Sequence, residues 1–281
     1  MQTSSGGCSS RITRNYLGLD SHNSTGRPLS SPEWLEAHHR AKLRERRRFA
    51  ASLASYAPTR VLDLGCATGL WLDVLDGILP PECEFIGIDS DPESLRLAES
   101  LSRTWGRKSD FLLCDIQSDP DRLPGADLTL AFNLFPYLHE PGHLLECLNA
   151  RAERGIIAIR QYDGAALRFG PMHVDLRSEI ESSLRASMEA STEFSHYDMD
   201  RAFSVIQGSR LAIQSLEFEL FQRTTPYEAD FVDYYSRTIA WTLDHISDQA
   251  RTHFLRWLTE QSVAEPSQGY FWEVDLTAVL S

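Results

Sequence analysis

Short apolar runs alternate with longer amphipathic segments from residue 60 onwards. The apolar runs that predict strands lie at 60–63, 84–89, 110–114, 128–133 and 155–161. Each is followed by helical spacing, and this alternation is typical of a parallel sheet with helices on both faces. Two later strands are predicted to form a hairpin-like pair, at about 210–224 and 269–281. The predicted helices before and between them lie at 174–190, 199–207, 227–246 and 248–261.

The first 57 residues have a different pattern. Residues 1–31 have turn-forming composition, and we expect either a mobile segment or a lid that orders on a ligand. Ser31, Pro32 and Glu33 then form a helix start, and one helix is predicted from there to about Tyr56. We expect a lid and basic helix at 1–57 and a main domain at 58–281, with inserted cap helices at about 165–208 and 225–266.

Composition excludes several classes of protein. Hydrophobic residues make up 42% of the 281 positions, and no apolar run approaches the roughly 18 residues that span a bilayer. The first thirty residues lack the apolar core of a signal peptide, so we expect a cytoplasmic protein without a membrane partner. Five scattered cysteines with no CxxC pair predict reduced thiols and no metal site.

Charge is unevenly spread along the chain. The net charge of −13 disfavours nucleic acid as a partner. Residues 1–60 hold 10 lysines and arginines against 4 acidic residues, whereas the rest of the chain holds 17 against 36. The basic run at 40–48 either docks a helix on the acidic body or grips a phosphate or carboxylate.

The stretch VLDLGCATG at 61–69 is a strand that runs into a tight turn of small residues, followed by a helix. Only glycine and small residues let a backbone approach a ligand this closely. The dinucleotide fingerprint starting at Gly65 would require glycine where Ala67 and Leu70 stand, and the Gly-Lys-Ser/Thr of a phosphate-binding P-loop does not follow.

DLGCATG resembles the first motif of class I S-adenosylmethionine-dependent methyltransferases, D/E-x-G-x-G-x-G, with Ala67 at the middle glycine. The resemblance implies that Asp63 anchors the amino end of the methionine moiety and that Gly65, Cys66, Ala67 and Gly69 lie against it. It also implies S-adenosylmethionine as cofactor, S-adenosylhomocysteine as product, and a Rossmann-like α/β fold. In that fold the seven-stranded sheet has the order 3-2-1-4-5-7-6, with the last strand antiparallel beside the fifth.

Two further carboxylates follow successive predicted strands. Asp89 stands 20 residues after Gly69, where an open α/β crevice expects an acid that binds ribose hydroxyls. Asp115 ends the third strand and resembles the family's acidic partner of the adenine amino group. The remaining predicted cofactor-binding residues are Ser90, Ile116 and Asn133.

The acceptor pocket is expected at the carboxyl ends of strands four and five, at 133–139 and 160–164. The first of these segments misses the N-P-P-Y box of amino-group methyltransferases by one residue, so amino-group recognition is not inferred. Arg160 in an apolar strand needs an anionic partner, either a ligand or a structural salt bridge. The candidate catalytic residues are His139, Tyr162 and His196. The candidate acceptor-binding residues are Tyr16, Tyr137, Arg160, Tyr162, Phe169, His173, Tyr197 and Tyr234.

Aromatic residues of the lid and cap either roof an apolar pocket or form the helices' own core. The architecture resembles small-molecule methyltransferases of bacterial secondary metabolism, and 160–171 and 273–281 resemble enzymes that methylate indole C3 in cyclic dipeptides. We expect methyl transfer by direct displacement to the carbon or nitrogen of a small aromatic or indole-containing acceptor. The alternatives are a non-catalytic cofactor-binding subunit, an aminopropyltransferase and a nucleic-acid methyltransferase. Whether two chains pair as a homodimer stays open.

Overall fold

The computed structural model describes residues 30–118, 120, 123–151, 155–190, 198–263 and 268–281. Its strands are β1 (Arg60–Leu64), β2 (Glu84–Asp89), β3 (Ser109–Leu113), β4 (Leu128–Phe132), β5 (Ile156–Gly170), β6 (Ile213–Thr224) and β7 (Tyr270–Leu280). They form one sheet of order β3-β2-β1-β4-β5-β7-β6, in which β7 runs antiparallel to both neighbours. The predicted strand order is confirmed.

Helices surround the sheet. They are α1 (Pro32–Ala41), α2 (Leu43–Ala54), α3 (Leu70–Asp76), α4 (Pro92–Ser102), α5 (Pro141–Arg151), α6 (Val174–Ala190), α7 (Met199–Gly208), α8 (Ala229–His245) and α9 (Asp248–Val263). Among the described residues, no helix combines the length and the apolar character needed to cross a membrane.

Each face of the sheet carries its own apolar core. Val61 packs on one face with Leu72 of α3, and Leu62 packs on the other with Leu145 of α5 and Ile206 of α7. This alternation follows from the period of two in a strand, where successive side chains point to opposite faces. The sheet therefore holds the carboxyl ends of its parallel strands in a fixed position between two helical layers.

Strand β5 is longer than predicted, because it continues from residue 161 to Gly170. Its pairing with β7 shifts register between Tyr162 and Leu167. At this irregularity the Asp163 carboxylate accepts hydrogen bonds from the amides of Ala165 and Ala166, which replaces the missing ladder bonds. The extended ends of β5, β6 and β7 support a third apolar core that packs against the cap helices.

The predicted N-terminal helix is broken into α1 and α2 at Lys42. Arg223 of β6 donates from Nη2 to the carbonyl oxygen of Ala41 at 2.8 Å. A side chain that enters the hydrogen-bond ladder in this way bends a helix. The break therefore lies where the N-terminal helices contact Arg223 of β6.

Three of the six lysines and arginines at 40–48 dock on the acidic body, in line with one of the two interpretations of the sequence. Arg40 pairs with Asp233 of α8 at 3.0 Å. Lys42 is fully buried and pairs with carboxylates of β7. Arg48 pairs with Glu219 of β6. Arg46 is also buried but forms no ion pair within the described residues.

Candidate active site

A cavity of about 460 Å³ opens at the carboxyl ends of β1, β2 and β4 and extends to α1 and α8. Nine of the ten predicted cofactor-binding residues line it, namely Asp63, Gly65, Cys66, Ala67, Asp89, Ser90, Asp115, Ile116 and Asn133. They meet because the parallel strands β1 to β4 all end at this edge of the sheet.

The backbone of the turn after β1 lines the cavity. Gly65, Ala67 and Gly69 have φ angles of 70°, 45° and 81°, in the left-handed region that glycine enters without strain. Ala67 reaches this region although it carries a Cβ, and its amide donates to Asp89 Oδ2 at 2.8 Å. Gly69 does not line the cavity; a Cβ there would lie 3.2 Å from that of Ala98, so its role is to let α3 start close to α4.

Two buried carboxylates stand beside this turn. Burial, together with the nearby charge of Asp89, raises the pKa of Asp63 to about 7. Burial also raises the pKa of Asp89, although Asp91 donates its amide to Asp89 Oδ1 at 2.9 Å. Neighbouring buried carboxylates disfavour each other's ionised form. A ligand that brings positive charge relieves this cost.

Aromatic side chains form the other half of the cavity. Trp34 and His38 come from α1, Tyr162 from β5, and Tyr234 and Trp241 from α8. The His38 ring stacks on Tyr234 with centroids 5.2 Å apart and meets Tyr162 edge-on at 6.2 Å. Tyr137, Tyr162 and Tyr234 were the predicted acceptor-binding residues that the structure brings to this wall.

Two predicted acceptor residues lie elsewhere. Arg160 is buried and pairs with Glu219 at 2.6 Å and with Asp275. Of the two alternatives for its anionic partner, a ligand or a structural salt bridge, the structure has the salt bridge. Phe169 is buried in the cap core, 5.2 Å from the ring of Phe271. Neither lines the cavity, so we do not assign either to the acceptor.

The histidine candidates also lie away from the cavity where the structure describes them. His139 is exposed and does not line the cavity, whereas Tyr137 and Leu138 just before it do. His173 is exposed on the surface, 3.3 Å from Asp175. The remaining candidates, Tyr16, His196 and Tyr197, lie outside the described residues.

His38 and Arg46 both line the cavity, but neither was among the predicted site residues; Arg46 was noted only as part of the basic run at 40–48. A signal was present: Trp34, His38, Lys42 and Arg46 are spaced four apart, on the helix face that also carries Ala37, Ala41, Ala50 and Leu53. Charged residues on an otherwise apolar helix face indicate buried partners or a ligand.

Arg46 fixes the state of His38. Its Nη2 donates to His38 Nδ1 at 3.3 Å. A guanidinium only donates, so Nδ1 is the acceptor and the proton of the neutral ring is on Nε2. Burial, followed by the charges of Lys42 and Arg46, holds the pKa of His38 well below its usual value. His38 therefore offers an Nε2–H group that has no partner among the described residues.

The cavity fits the chemistry of S-adenosylmethionine. Its amino-acid end carries an ammonium group, which suits the buried Asp63 carboxylate, and its ribose diol suits Asp89 at the end of the next strand. A ligand can approach the glycine turn closely, because Gly65 lines the cavity and has no side chain.

Comparison with known proteins adds independent support. Residues 61–155 match the family model of a methyltransferase domain. Two solved structures share the fold at a TM-score of 0.50. One is the YcgJ protein from Bacillus subtilis, 16% identical, covering 84% of this chain and 97% of its own. The other is a putative methyltransferase from Bacillus halodurans C-125, 9% identical, covering 83% and 97%.

A third solved structure is the plantazolicin methyltransferase BpumL in complex with S-adenosylhomocysteine, with a TM-score of 0.42, 19% identity and coverage of 87% and 91%. No curated protein matches the chain significantly. The family match at 61–155, together with the sheet order, shows that the chain contains a class I S-adenosylmethionine-dependent methyltransferase domain.

Proposed function

We propose that the protein methylates a small aromatic molecule held against the aromatic side chains that α1 and α8 contribute to the cavity. The observation that carries the proposal is one continuous cavity, lined both by Asp63 and Asp89 of the sheet and by Trp34, Tyr234 and Trp241 of the helices α1 and α8. Its volume of about 460 Å³ is in the usual range for small-molecule sites. Aromatic walls favour a planar ring, which they hold by stacking and edge contacts.

The bound cofactor supplies an electrophilic methyl group on a sulfonium. The chain's own residues then have to align the acceptor and exclude water. His38 donates a hydrogen bond from Nε2 and orients the acceptor; it takes up no proton there while Nδ1 accepts from Arg46. Burial raises the pKa of Tyr162, so its hydroxyl stays neutral and serves as a hydrogen-bonding group.

These protonation states limit the kinds of acceptor that the protein can methylate. The described residues of the aromatic half include no carboxylate, and burial keeps His38, Tyr162 and Tyr234 neutral by lowering the pKa of the histidine and raising those of the two tyrosines. The acceptor therefore has to be nucleophilic without prior loss of a proton. An electron-rich ring such as indole, or an aromatic amine, meets this condition, and we propose methylation at carbon or nitrogen of such a ring.

The alternative functions fit these features less well. A polyamine acceptor needs carboxylates, which the described part of the aromatic half lacks. A nucleic-acid acceptor favours a basic protein, but the chain has a net charge of −13, and Arg40, Lys42 and Arg48 of its basic run pair with the body of the protein. A non-catalytic cofactor-binding subunit needs no open acceptor space beside the cofactor.

The test combines binding with a product search. Calorimetric titration with S-adenosylhomocysteine should show one site per chain. Incubation with S-adenosylmethionine and a panel of indoles, tryptophan-containing cyclic dipeptides and aromatic amines should give a product heavier by one methyl group in mass spectrometry. Binding without product across this panel would favour the non-catalytic subunit. Transfer to spermidine from the decarboxylated cofactor, or to RNA, would favour the other two alternatives.

A substitution separates the two halves of the cavity. Trp241→Leu removes an aromatic wall, and its loss should raise KM for the acceptor about tenfold, which corresponds to about 1.4 kcal/mol. The affinity for S-adenosylhomocysteine should stay within about twofold, because Trp241 is on the acceptor side. Tyr56→Ala is the matched control, since Tyr56 is an exposed aromatic residue outside the cavity. Equal losses of cofactor and acceptor binding in Trp241→Leu would contradict this division.

A further inference from the structure

Arg46 is a buried cation that lacks an anionic partner within the described part of the chain. Only 5% of the residue is exposed, and it lines the cavity. Its Nη1 donates to His39 Nδ1 at 2.7 Å and its Nη2 to His38 Nδ1 at 3.3 Å. Its Nε has no hydrogen-bond partner among these residues. The two imidazoles hold the guanidinium in place, but neither neutralises its charge.

An unpaired buried charge is costly. Burial, assisted by the nearby charge of Arg160, lowers the pKa of Arg46 to about 9. Burial and the charge of Arg46 likewise lower the pKa of His39 to about 3, so this histidine contributes no charge. Buried charges in proteins are normally paired, and an anionic ligand would supply the partner that this cation lacks. Because Arg46 faces the cavity, that ligand is the one bound in the cavity.

The position of Arg46 indicates which end of the ligand it meets. Its guanidinium carbon lies 4.8 Å from the ring centre of Trp71, two residues after Gly69 in the first turn of α3. The glycine turn and Asp63 line the same cavity as both residues. Arg46 is thus next to the turn that the cofactor's amino-acid group is expected to occupy.

The charges of the cavity wall point the same way. Its described lining contains three carboxylates, those of Asp63, Asp89 and Asp115, and a single lysine or arginine, Arg46. An amino-acid group is zwitterionic and needs one group of each sign. We propose that Arg46 binds the carboxylate of the methionine moiety of S-adenosylmethionine, while Asp63 holds its ammonium group. The inference rests on the cofactor and does not depend on the identity of the acceptor.

Two ligands that differ by the carboxylate test this assignment. One is S-adenosylhomocysteine, and the other is its decarboxylated analogue, which keeps the adenosine, the thioether and the amine. A charge-assisted hydrogen bond is worth about 1.5–3 kcal/mol, or about 10- to 150-fold in affinity. In calorimetric titration, the wild-type protein should therefore bind S-adenosylhomocysteine at least about tenfold more tightly than the analogue.

The variants locate the source of this preference. Arg46→Met should weaken binding of S-adenosylhomocysteine about tenfold or more and leave the affinity for the analogue within about twofold. Arg46→Lys keeps a cation and should retain part of the preference. Arg44→Met is the matched control, because Arg44 is exposed on the same helix; it should leave both affinities unchanged.

Each contrary result has a distinct meaning. Equal weakening of both ligands in Arg46→Met would overturn the proposal, because it would show that Arg46 supports the shape of the cavity. An unchanged affinity for S-adenosylhomocysteine would also overturn it, and would assign the anion to the acceptor. A wild-type protein with no preference for the carboxylate refutes the proposal without any variant, even if Arg46→Met fails to fold. Wild-type protein that binds neither ligand would refute the cofactor itself.

Discussion

Lys42 ties the N-terminal helices to the sheet through two buried carboxylates, and its removal gives a quantitative test of the fold. Its side chain is fully buried, and Nζ lies 3.1 Å from both carboxylate oxygens of Asp275. It also pairs with Glu273, whose Oε2 accepts a hydrogen bond from the Tyr234 hydroxyl at 2.6 Å. Arg160 provides Asp275 with a second cation. Lys42→Met removes the charge and keeps most of the side-chain volume.

The expected cost follows from these partners. Removing one member of a buried ion pair costs about 3–5 kcal/mol, because the other charge is left uncompensated. Asp275 keeps Arg160, so the loss falls on Glu273, which keeps only the Tyr234 hydroxyl. For a chain of this size, that corresponds to a fall in Tm of roughly 6–20 °C.

The cost should depend on pH. Burial already raises the pKa of Glu273 despite the charge of Lys42, and removal of Lys42 raises it further. A carboxyl group with a raised pKa in the folded state destabilises the protein increasingly as pH rises above its unfolded value, near 4.5. The loss in Lys42→Met should therefore be larger at pH 8 than at pH 5.

Urea unfolding of the wild type, the two single variants and the double variant measures the coupling between Lys42 and Glu273. Adding Glu273→Gln to Lys42→Met should recover about 2 kcal/mol of the free energy of unfolding at pH 8, because it removes the charge that Lys42→Met leaves uncompensated. Arg44→Met, an exposed control, should stay within about 0.5 kcal/mol of the wild type. A loss below about 1 kcal/mol in Lys42→Met, or no recovery in the double variant, would refute the reasoning.

Two further predictions concern the cofactor end of the cavity. The Asp63 pKa of about 7, against 3.8 for an ordinary aspartate, corresponds to as much as about 4 kcal/mol of destabilisation above pH 7, which is absent below pH 4. Asp63→Asn should therefore raise the Tm of the unliganded protein at pH 8 but not at pH 4, while calorimetry shows weaker binding of S-adenosylhomocysteine; an unchanged Tm at pH 8 would contradict the burial argument. Gly69→Ala places a Cβ at a φ of 81° and 3.2 Å from that of Ala98, so scanning calorimetry should show a loss of about 1–2 kcal/mol. Gly106→Ala, which meets open space, is the control and should leave stability within about 0.5 kcal/mol of the wild type.

The sheet and the cofactor end of the cavity could be predicted because their signals are local. Asp63 to Gly69 form one contiguous turn, and Asp89 and Asp115 end the next two strands along the chain. The fold brings these segments together because parallel strands end at the same edge. Ala67, the one departure from the motif, keeps the left-handed backbone that the turn requires.

The acceptor half depends on contacts that are distant in the sequence. His38 and Arg46 reach the cavity because Lys42 anchors their helices to β7, more than 230 residues later. The end of β5 was misjudged for a similar reason. Asp163 and Gly164 are typical of a turn, yet the strand resumes at Leu167 because β7 offers it a continuing partner. Periodicity within a single segment does not contain this information.

The contrast between Lys42 and Arg46 shows what a buried charge can indicate. The two residues stand four apart on the same helix face, and both are buried. Lys42 finds Glu273 and Asp275 in the protein, and the buried Arg107 likewise finds Asp76 at 2.6 Å. Buried cations in this fold are thus matched by carboxylates wherever the protein alone decides the partner. Arg46 has no such carboxylate among the described residues, and it lies in the wall of the cavity. The bound ligand is therefore the source of the anion that Arg46 lacks.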